Sequence, residues 1–291
     1  MESKVTVVIP TLGGICLEET IKILNSGTYL ADEILVCIPN ENAYKVPSFI
    51  FDNIKIVKTK FRGQVAQRAF GFKIAKNDLV LQLDDDIHLE KNCLENLVNF
   101  ILEYPGSSVG PKLVDRLSGR YHSYLYNDNN NMTHFEKIPF YILNGFDGCI
   151  PGKLSKAGIY MGLPEKPEKY LFTEWLPGGC ILHKKENLVL DNYYPFSGKA
   201  YWEDIFHSDL LREKGIHLHR AGNAVCSIDF SGNRNLGLFF FIKELFLVYK
   251  IAKLYQKKNN KSILRLTAFL LYNSINLIIK RFFSNATKLF L

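Results

Sequence analysis

No two of the six cysteines (Cys16, Cys37, Cys93, Cys149, Cys180, Cys226) stand in CxxC spacing. That argues against a zinc knuckle and a disulfide framework alike. The thiols read as small buried hydrophobes in a reducing compartment. Long apolar runs are missing too. Near the C-terminus the longest charge-free stretch, Leu266 to Ile279, is shorter than the roughly 18–20 residues a spanning helix needs. Acid is scarce in the same region: residues 236–291 hold ten Lys/Arg and one acid, Glu244. The net charge of +7 therefore sits in a basic, apolar tail behind a nearly neutral globule. Such asymmetry points to an anionic surface, membrane or nucleic acid. No secretory leader precedes the first apolar run after Met1–Lys4, so a cytoplasmic protein is expected.

What is present is globular. At 291 residues, 47% hydrophobic and 22% charged, the chain can bury a sizeable core in one large or two modest domains. Apolar strands are expected at Lys4–Pro10, Glu33–Ile38, Ile54–Val57 and Leu79–Leu83. Between them, helices are expected at about Leu17–Asn25, Gln64–Lys76 and Leu89–Glu103. Continuous apolar strands alternating with helices predict an α/β fold: a mostly parallel, Rossmann-like sheet flanked by helices. From about Tyr121 to Phe172 the periodicity fails, and a loop-rich excursion is expected. A strand at Gly179–His183, a helix at about Asp204–Lys214 and two short strands near Ile216–His219 and Ala224–Ile228 follow.

The densest chemistry is Asp84-Asp85-Asp86, directly after the apolar run Leu79–Leu83. Three carboxylates on one strand tip repel one another unless something cationic sits among them. A divalent cation with a phosphate companion fits, since Mg²⁺-type ions bind through one or two carboxylates plus substrate phosphates. In parallel sheets ligands bind beyond the carboxyl ends of the strands. Asp84 and Asp86, two apart in an extended chain, face the same way; one can bind metal and the other a ribose hydroxyl. The same cluster would also serve as a solvated cap on the helix that follows.

Three further groups stand out. Trp202-Glu203-Asp204 precedes a helix; it reads as an N-cap or as a general base that deprotonates an acceptor hydroxyl. Trp175-Leu176-Pro177-Gly178-Gly179 is turn chemistry, or a place where backbone approaches a ligand and an aromatic lies against a sugar ring. Arg62, Gln64, Gln67 and Arg68 lie in or just before one helix. Its arginines serve a phosphate, a base or simply the surface. Gly71 in that helix would allow close packing.

In the tail, Lys243, Glu244, Lys250, Lys253, Lys257 and Lys258 fall on one side of a helix over Leu238–Lys258, with apolar residues filling the rest. The next segment, about Ser262–Phe283, gathers Arg265, Asn273, Asn276 and Lys280 on one arc. Lys-rich amphipathic segments of this kind fit an anionic lipid interface; alternatively their apolar faces dock on the globule. Nucleic acid is not expected, because the basicity comes with large apolar faces and no motif fold.

Taken in order, Val7-Val8-Ile9-Pro10-Thr11, Arg68-Ala-Phe-Gly71, Leu83-Asp84-Asp85-Asp86, Gly178-Gly179 and Glu203-Asp204 with Leu210–Gly215 resemble the family 2 glycosyltransferases, inverting enzymes of the GT-A fold. The resemblance covers about residues 4–232. It implies a GT-A domain over 1–235, with a nucleotide-binding half (1–115) and an acceptor-binding half (116–235), ahead of the membrane-associating tail 236–291. It also implies a divalent cation (Mn²⁺ or Mg²⁺), a nucleotide-diphosphate sugar donor and a saccharide or lipid-linked acceptor. The setting would be cell-surface polysaccharide or glycolipid assembly at the inner membrane face. By resemblance, Asp204 is the catalytic base with Glu203 beside it, Asp84 touches the ribose and Asp86 the metal. Pro10, Thr11, Asn40, Arg68 and Asp85 would complete the nucleotide site. Trp175, Gly178, Gly179 and Trp202 would face the acceptor. Two departures from the family pattern stand out. No histidine occurs in Ala224–Ser231, so Asp229 is the substitute candidate for the metal, with His217 and His219 as upstream alternatives. The second strand is followed by Pro39-Asn40-Glu41 and not by an Asp-Asp element. A sugar nucleotidyltransferase and an inactive membrane-bound scaffold are the rival readings. The first would need a cationic Gly-rich loop, which Thr11-Leu12-Gly13-Gly14 lacks.

Overall fold

Six consecutive buried residues, Val5–Pro10, form β1. β4 (Leu79–Leu83) is as thoroughly buried, β2 (Glu33–Pro39) is buried from Ile34 on, and β3 (Ile54–Thr59) closes that side. The computed structural model describes residues 3–119, 134–145, 150–162, 169–195, 200–229 and 238–288. Within them, nine strands form one sheet in the order β3-β2-β1-β4, then β8 (Cys180–Lys184), β6 (Ser107–Asp115), β9 (His217–Ile228) and β5 (His88–Leu89), with β7 (Tyr170–Thr173) pairing β9. β3, β2, β1 and β4 run parallel, the pattern that buried apolar runs predict. β8 (Cys180–Lys184) enters antiparallel beside β4, with Leu83 opposite Cys180. That reversal sets the start of β8 at the edge where β4 ends.

Beyond β8 lie β6 (Ser107–Asp115) and β9 (His217–Ile228), parallel to each other. β5 (His88–Leu89) and β7 (Tyr170–Thr173) pair antiparallel with β9. The two short strands expected after residue 215 are one twelve-residue strand, continued through a register shift opposite Pro111/Lys112. Gly222 and Asn223, which look like a break in the sequence, lie within it. β6 and β7 carry no strand signal clear of their Gly, Pro and Tyr neighbours.

Helices α1 (Cys16–Leu24), α2 (Gln64–Ile74), α3 (Cys93–Glu103) and α5 (Glu203–Glu213) cover the sheet. The packing of α2 depends on Gly71: an added Cβ would collide with Val8 and lie 2.8 Å from Cys37 Sγ. Of the five cysteines described, four are buried and Cys16 is half-buried, all as free thiols; Cys149 lies outside the described residues.

The chain divides into two compact units, residues 1–122 with 165–234, and 123–164 with 235–291. The first holds the sheet. In the second, α4 (His134–Asn144), α6 (Leu238–Lys258) and α7 (Ile263–Lys288) are helical, although α4 lies where the sequence predicts only loop. Ile251, Ala252, Tyr255, Leu266 and Phe269 are buried there, Phe140 packs edge-on against Phe269, and Arg265 donates to the Ile142 carbonyl. Among the described residues no helix is long and apolar enough to cross a membrane.

Candidate active site

The carboxyl ends of β1, β2 and β4 carry Pro10, Thr11, Asn40 and Asp84–Asp86, part of the set that the sequence singled out. Pro10 ends β1 and is buried. Thr11 follows; its hydroxyl donates to the Asp85 carboxylate and accepts from the Gly13 N–H at 2.9 Å. Asn40 is exposed at the start of a short 3₁₀ turn after β2. Asn42, in the same turn, donates to the Leu12 carbonyl and ties the two loops together. Gln67 of α2 donates to the carbonyls of both Thr11 and Cys37. It thereby holds the ends of β1 and β2 side by side.

At the tip of β4 the three carboxylates part ways. Asp84 accepts from Gln64 Nε2 at 2.7 Å and from Arg68 Nη2 at 3.1 Å. Burial nonetheless pushes its carboxyl up to about 6, against the pull of Arg68. Asp85 is half-buried on Thr11, its carboxyl raised by burial and lowered by that hydrogen bond. Asp86 is exposed.

The resemblance puts Arg68 in the nucleotide site. Its side chain is 2% exposed, and the guanidinium is enclosed between two carboxylates, Nη2 on Asp84 and Nη1 on Glu203 at 2.9 Å. Glu203 opens α5, only 5% exposed, and its second oxygen accepts from the Tyr193 hydroxyl at 2.7 Å. The cation therefore acts inside the protein, joining the acid tip of β4 to the first turn of α5.

Trp202 takes the left-handed conformation, φ 62°, ahead of that turn. A non-glycine residue there costs about 1–2 kcal/mol. The turn it makes leads the chain into α5 with Glu203 buried and Asp204 partly open. Burial first, and the Glu203 charge second, push the Asp204 carboxyl up to about 7. Backbone N–H groups at the helix start and Arg68 oppose that rise.

Gly178 and Gly179 touch both halves of this arrangement. A Cβ on Gly178 would collide with the Glu203 carboxylate and lie 3.4 Å from Asp204 Cβ; one on Gly179 would lie 3.2 Å from Asp84 Oδ2. The Gly179 carbonyl accepts from the Asp84 N–H at 2.8 Å, and the Gly178 carbonyl accepts from Gln82. Trp175 of the same turn, expected against a sugar ring, is fully enclosed in the core. Its N–H and carbonyl both engage the Thr173 hydroxyl.

Asp229 is exposed just beyond β9. Its charge helps to raise Arg116, after the dominant hydrogen bond from Arg116 to Glu19. The Cys16 thiol, raised chiefly by burial, senses Asp86, Asp85 and Arg116. The end of β9 and the tip of β4 thus both border the start of α1. Among the described residues no group of three or more His, Cys, Asp or Glu could hold a metal by itself. One or two exposed carboxylates fit an ion completed by substrate phosphates. Tyr193 and Gln82 were missed: neither belongs to a motif, and only the fold brings them to Glu203 and Gly178.

This sheet, with an acid tip on β4 and a carboxylate-bearing helix across from it, has the GT-A glycosyltransferase fold. A crystal structure of GalNAc-T7 with UDP, GalNAc and Mn²⁺ superposes with a TM-score of 0.56 at 16% identity, over 80% of this chain and 45% of that one. TarS 1–349 of S. aureus aligns with a TM-score of 0.46 at 12% identity, over 78% of this chain and 60% of that one. The chain spans about half the length of the first of these. No curated protein sequence matches it. The chain belongs to glycosyl transferase family 2, whose model matches residues 6–154.

Proposed function

We propose that the chain is a divalent-cation-dependent, inverting glycosyltransferase that moves a sugar from a nucleotide-diphosphate donor to a hydroxyl acceptor. The observation that carries the reading is the single buried Arg68 shared by Asp84 and Glu203. It holds the donor-side acid cluster and the Glu203-Asp204 turn against one Gly-Gly corner.

On this reading Pro10, Thr11, Asn40, Asp84 and Asp85 line the nucleotide side. Gly178, Gly179 and Trp202 line the acceptor side. Asp86, with Asp229, would hold the cation, which when bound neutralises charge on the diphosphate. Asp204 takes the proton from the acceptor hydroxyl as its oxygen attacks the anomeric carbon from the face opposite the diphosphate. The bond from that carbon to the diphosphate oxygen breaks, and the diphosphate leaves with the electron pair. A base titrating near 7 suits proton transfer at neutral pH. The division into a nucleotide half (1–115) and an acceptor half (116–235) belongs to the same proposal.

The tail 236–291 would bring the enzyme to a lipid-linked acceptor at the inner face of the cell membrane, in surface polysaccharide or glycolipid assembly. Lys243, Lys250, Lys257 and Lys258 are exposed on α6. Phe246 is 70% exposed beside them, and Leu264 on α7 is 80% exposed. Positive charge with open apolar surface suits an anionic interface.

Thermal shift with UDP, GDP, TDP and CDP, with and without Mn²⁺, tests the donor half on wild type and Asp86→Ala. Stabilisation by one nucleotide that needs the ion and is lost in the variant supports the reading. No nucleotide effect on the wild type refutes it and leaves a non-catalytic scaffold.

A further inference from the structure

Glu203 sits beside the proposed base, and both of its oxygens are occupied from within the protein. Oε1 accepts from Arg68 and Oε2 from the Tyr193 hydroxyl. Space for the carboxylate exists because Gly178 has no side chain. Tyr193 is itself held in orientation. Its ring stacks on His207, one turn along α5 from Glu203, at 5.7 Å between centroids and 7° between planes. Both ring nitrogens of His207 are buried and make no hydrogen bond. Burial, with Arg68 and Lys214 nearby, pulls its pKa down to about 3, so at neutral pH the imidazole is an uncharged flat surface. The hydroxyl reaches Glu203 from that surface.

We propose that Tyr193 is a positioning residue for the transfer: with Arg68 it clamps the Glu203 carboxylate between the sheet edge and α5, and so fixes the aim of the adjacent Asp204. The inference rests on Asp204 being the base. The physical argument is one of charge and freedom. Arg68 faces two carboxylates, Asp84 and Glu203, with a single positive charge. The second oxygen of Glu203 then depends on a neutral donor, and a buried acceptor without one carries its full desolvation cost. Without the phenol O–H, the carboxylate would swing on Arg68 and press its unshielded charge on Asp204. The groups that face Asp204 are Glu203, Arg68, Tyr193 and Tyr194. Tyr194 donates to the Tyr201 carbonyl and stays in place when Tyr193 loses its hydroxyl.

The experiment is carboxyl ¹³C NMR on the full chain labelled at aspartate, titrated from acid to mildly alkaline pH. Asp204→Asn identifies the Asp204 resonance. Tyr193→Phe should raise the Asp204 midpoint by ~0.5 pH units or more, because the Glu203 charge is less shielded. Glu203→Gln should lower it by a similar or larger amount, because that charge is gone. Opposite shifts are the signature; loss of packing alone would move melting temperature and leave both midpoints in place. If neither variant moves the midpoint, or both move it the same way, the clamp is refuted. Should Tyr193→Phe not fold, an unmoved midpoint in Glu203→Gln refutes it alone. Turnover is the second readout: Tyr193→Phe should lower kcat about tenfold with donor KM near wild type. A wild type inactive with every nucleotide sugar would overturn the transferase reading and leave the NMR result standing.

Discussion

Arg68 and Glu203 lie 135 residues apart in the sequence and 2.9 Å apart in the structure, Nη1 donating to Oε1. The pair is buried, and Asp84 takes the other end of the same guanidinium. Removing one partner of such a set leaves uncompensated charge in the interior. Arg68→Leu should therefore destabilise the protein by about 3–5 kcal/mol, read by urea unfolding. An arginine serving only as a phosphate contact would leave the unfolding midpoint unchanged.

Asp204→Asn should abolish transfer, a loss of about 10²–10⁴-fold in rate, while nucleotide and metal affinity stay near normal. Equal loss of binding by calorimetry would make Asp204 a structural residue.

The same substitution carries a pH signature in stability. Folded Asp204 keeps its proton up to about pH 7, whereas an unfolded aspartate releases it near 3.9. The fold therefore bears a deprotonation cost above pH 7 that is absent below pH 4. Asparagine never bears it. Relative to wild type, Asp204→Asn should gain stability as pH rises from 4 to 7, by up to about 4 kcal/mol, and hold that gain above. Melting temperatures across pH would reveal a flat difference if the carboxyl were unperturbed.

Gly71→Ala should destabilise by about 1–3 kcal/mol through overpacking, since the new methyl meets Val8 and Cys37. Gly178→Ala should act differently. Its methyl meets the Glu203 carboxylate, so turnover should fall by more than stability does. Paired measurement of kcat and unfolding midpoint separates the two glycines.

Full-length protein should co-sediment with phosphatidylglycerol vesicles and not with phosphatidylcholine. Lys250→Glu with Lys257→Glu should weaken that binding, at about 1 kcal/mol for each lysine removed. Binding insensitive to both lipid charge and these substitutions would remove the tail's proposed role.

Much of the first half was legible because its signals are local. Val5–Pro10, Glu33–Pro39 and Leu79–Leu83 are unbroken apolar runs bounded by punctuation, and Gly71 betrayed a close approach before the approach was visible. The acid tip followed from the end of a strand. The roles of Arg68 and Trp175 did not, because an arginine on a helix and a tryptophan before a Pro-Gly turn look alike whether they face ligand or core. Enclosure is decided by what packs over them, and for Arg68 that is Glu203, distant in sequence. Tyr193 was invisible for the same reason. β9 was divided in two because Gly222-Asn223 imitates a turn, and only the parallel partner β6 holds the strand through it.

The antiparallel seat of β8 has a consequence for biosynthesis. At roughly 5–20 residues per second, the 135 residues between Arg68 and Glu203 take roughly 7–27 s to emerge. For most of that time the residues of β1 to β4 and α2 have been made, while Glu203, one of the two carboxylates on Arg68, and β8, the antiparallel partner of β4, have not. Until Glu203 arrives, a cation that is buried in the finished protein lacks one of its two carboxylates, and the proposed base follows one residue later.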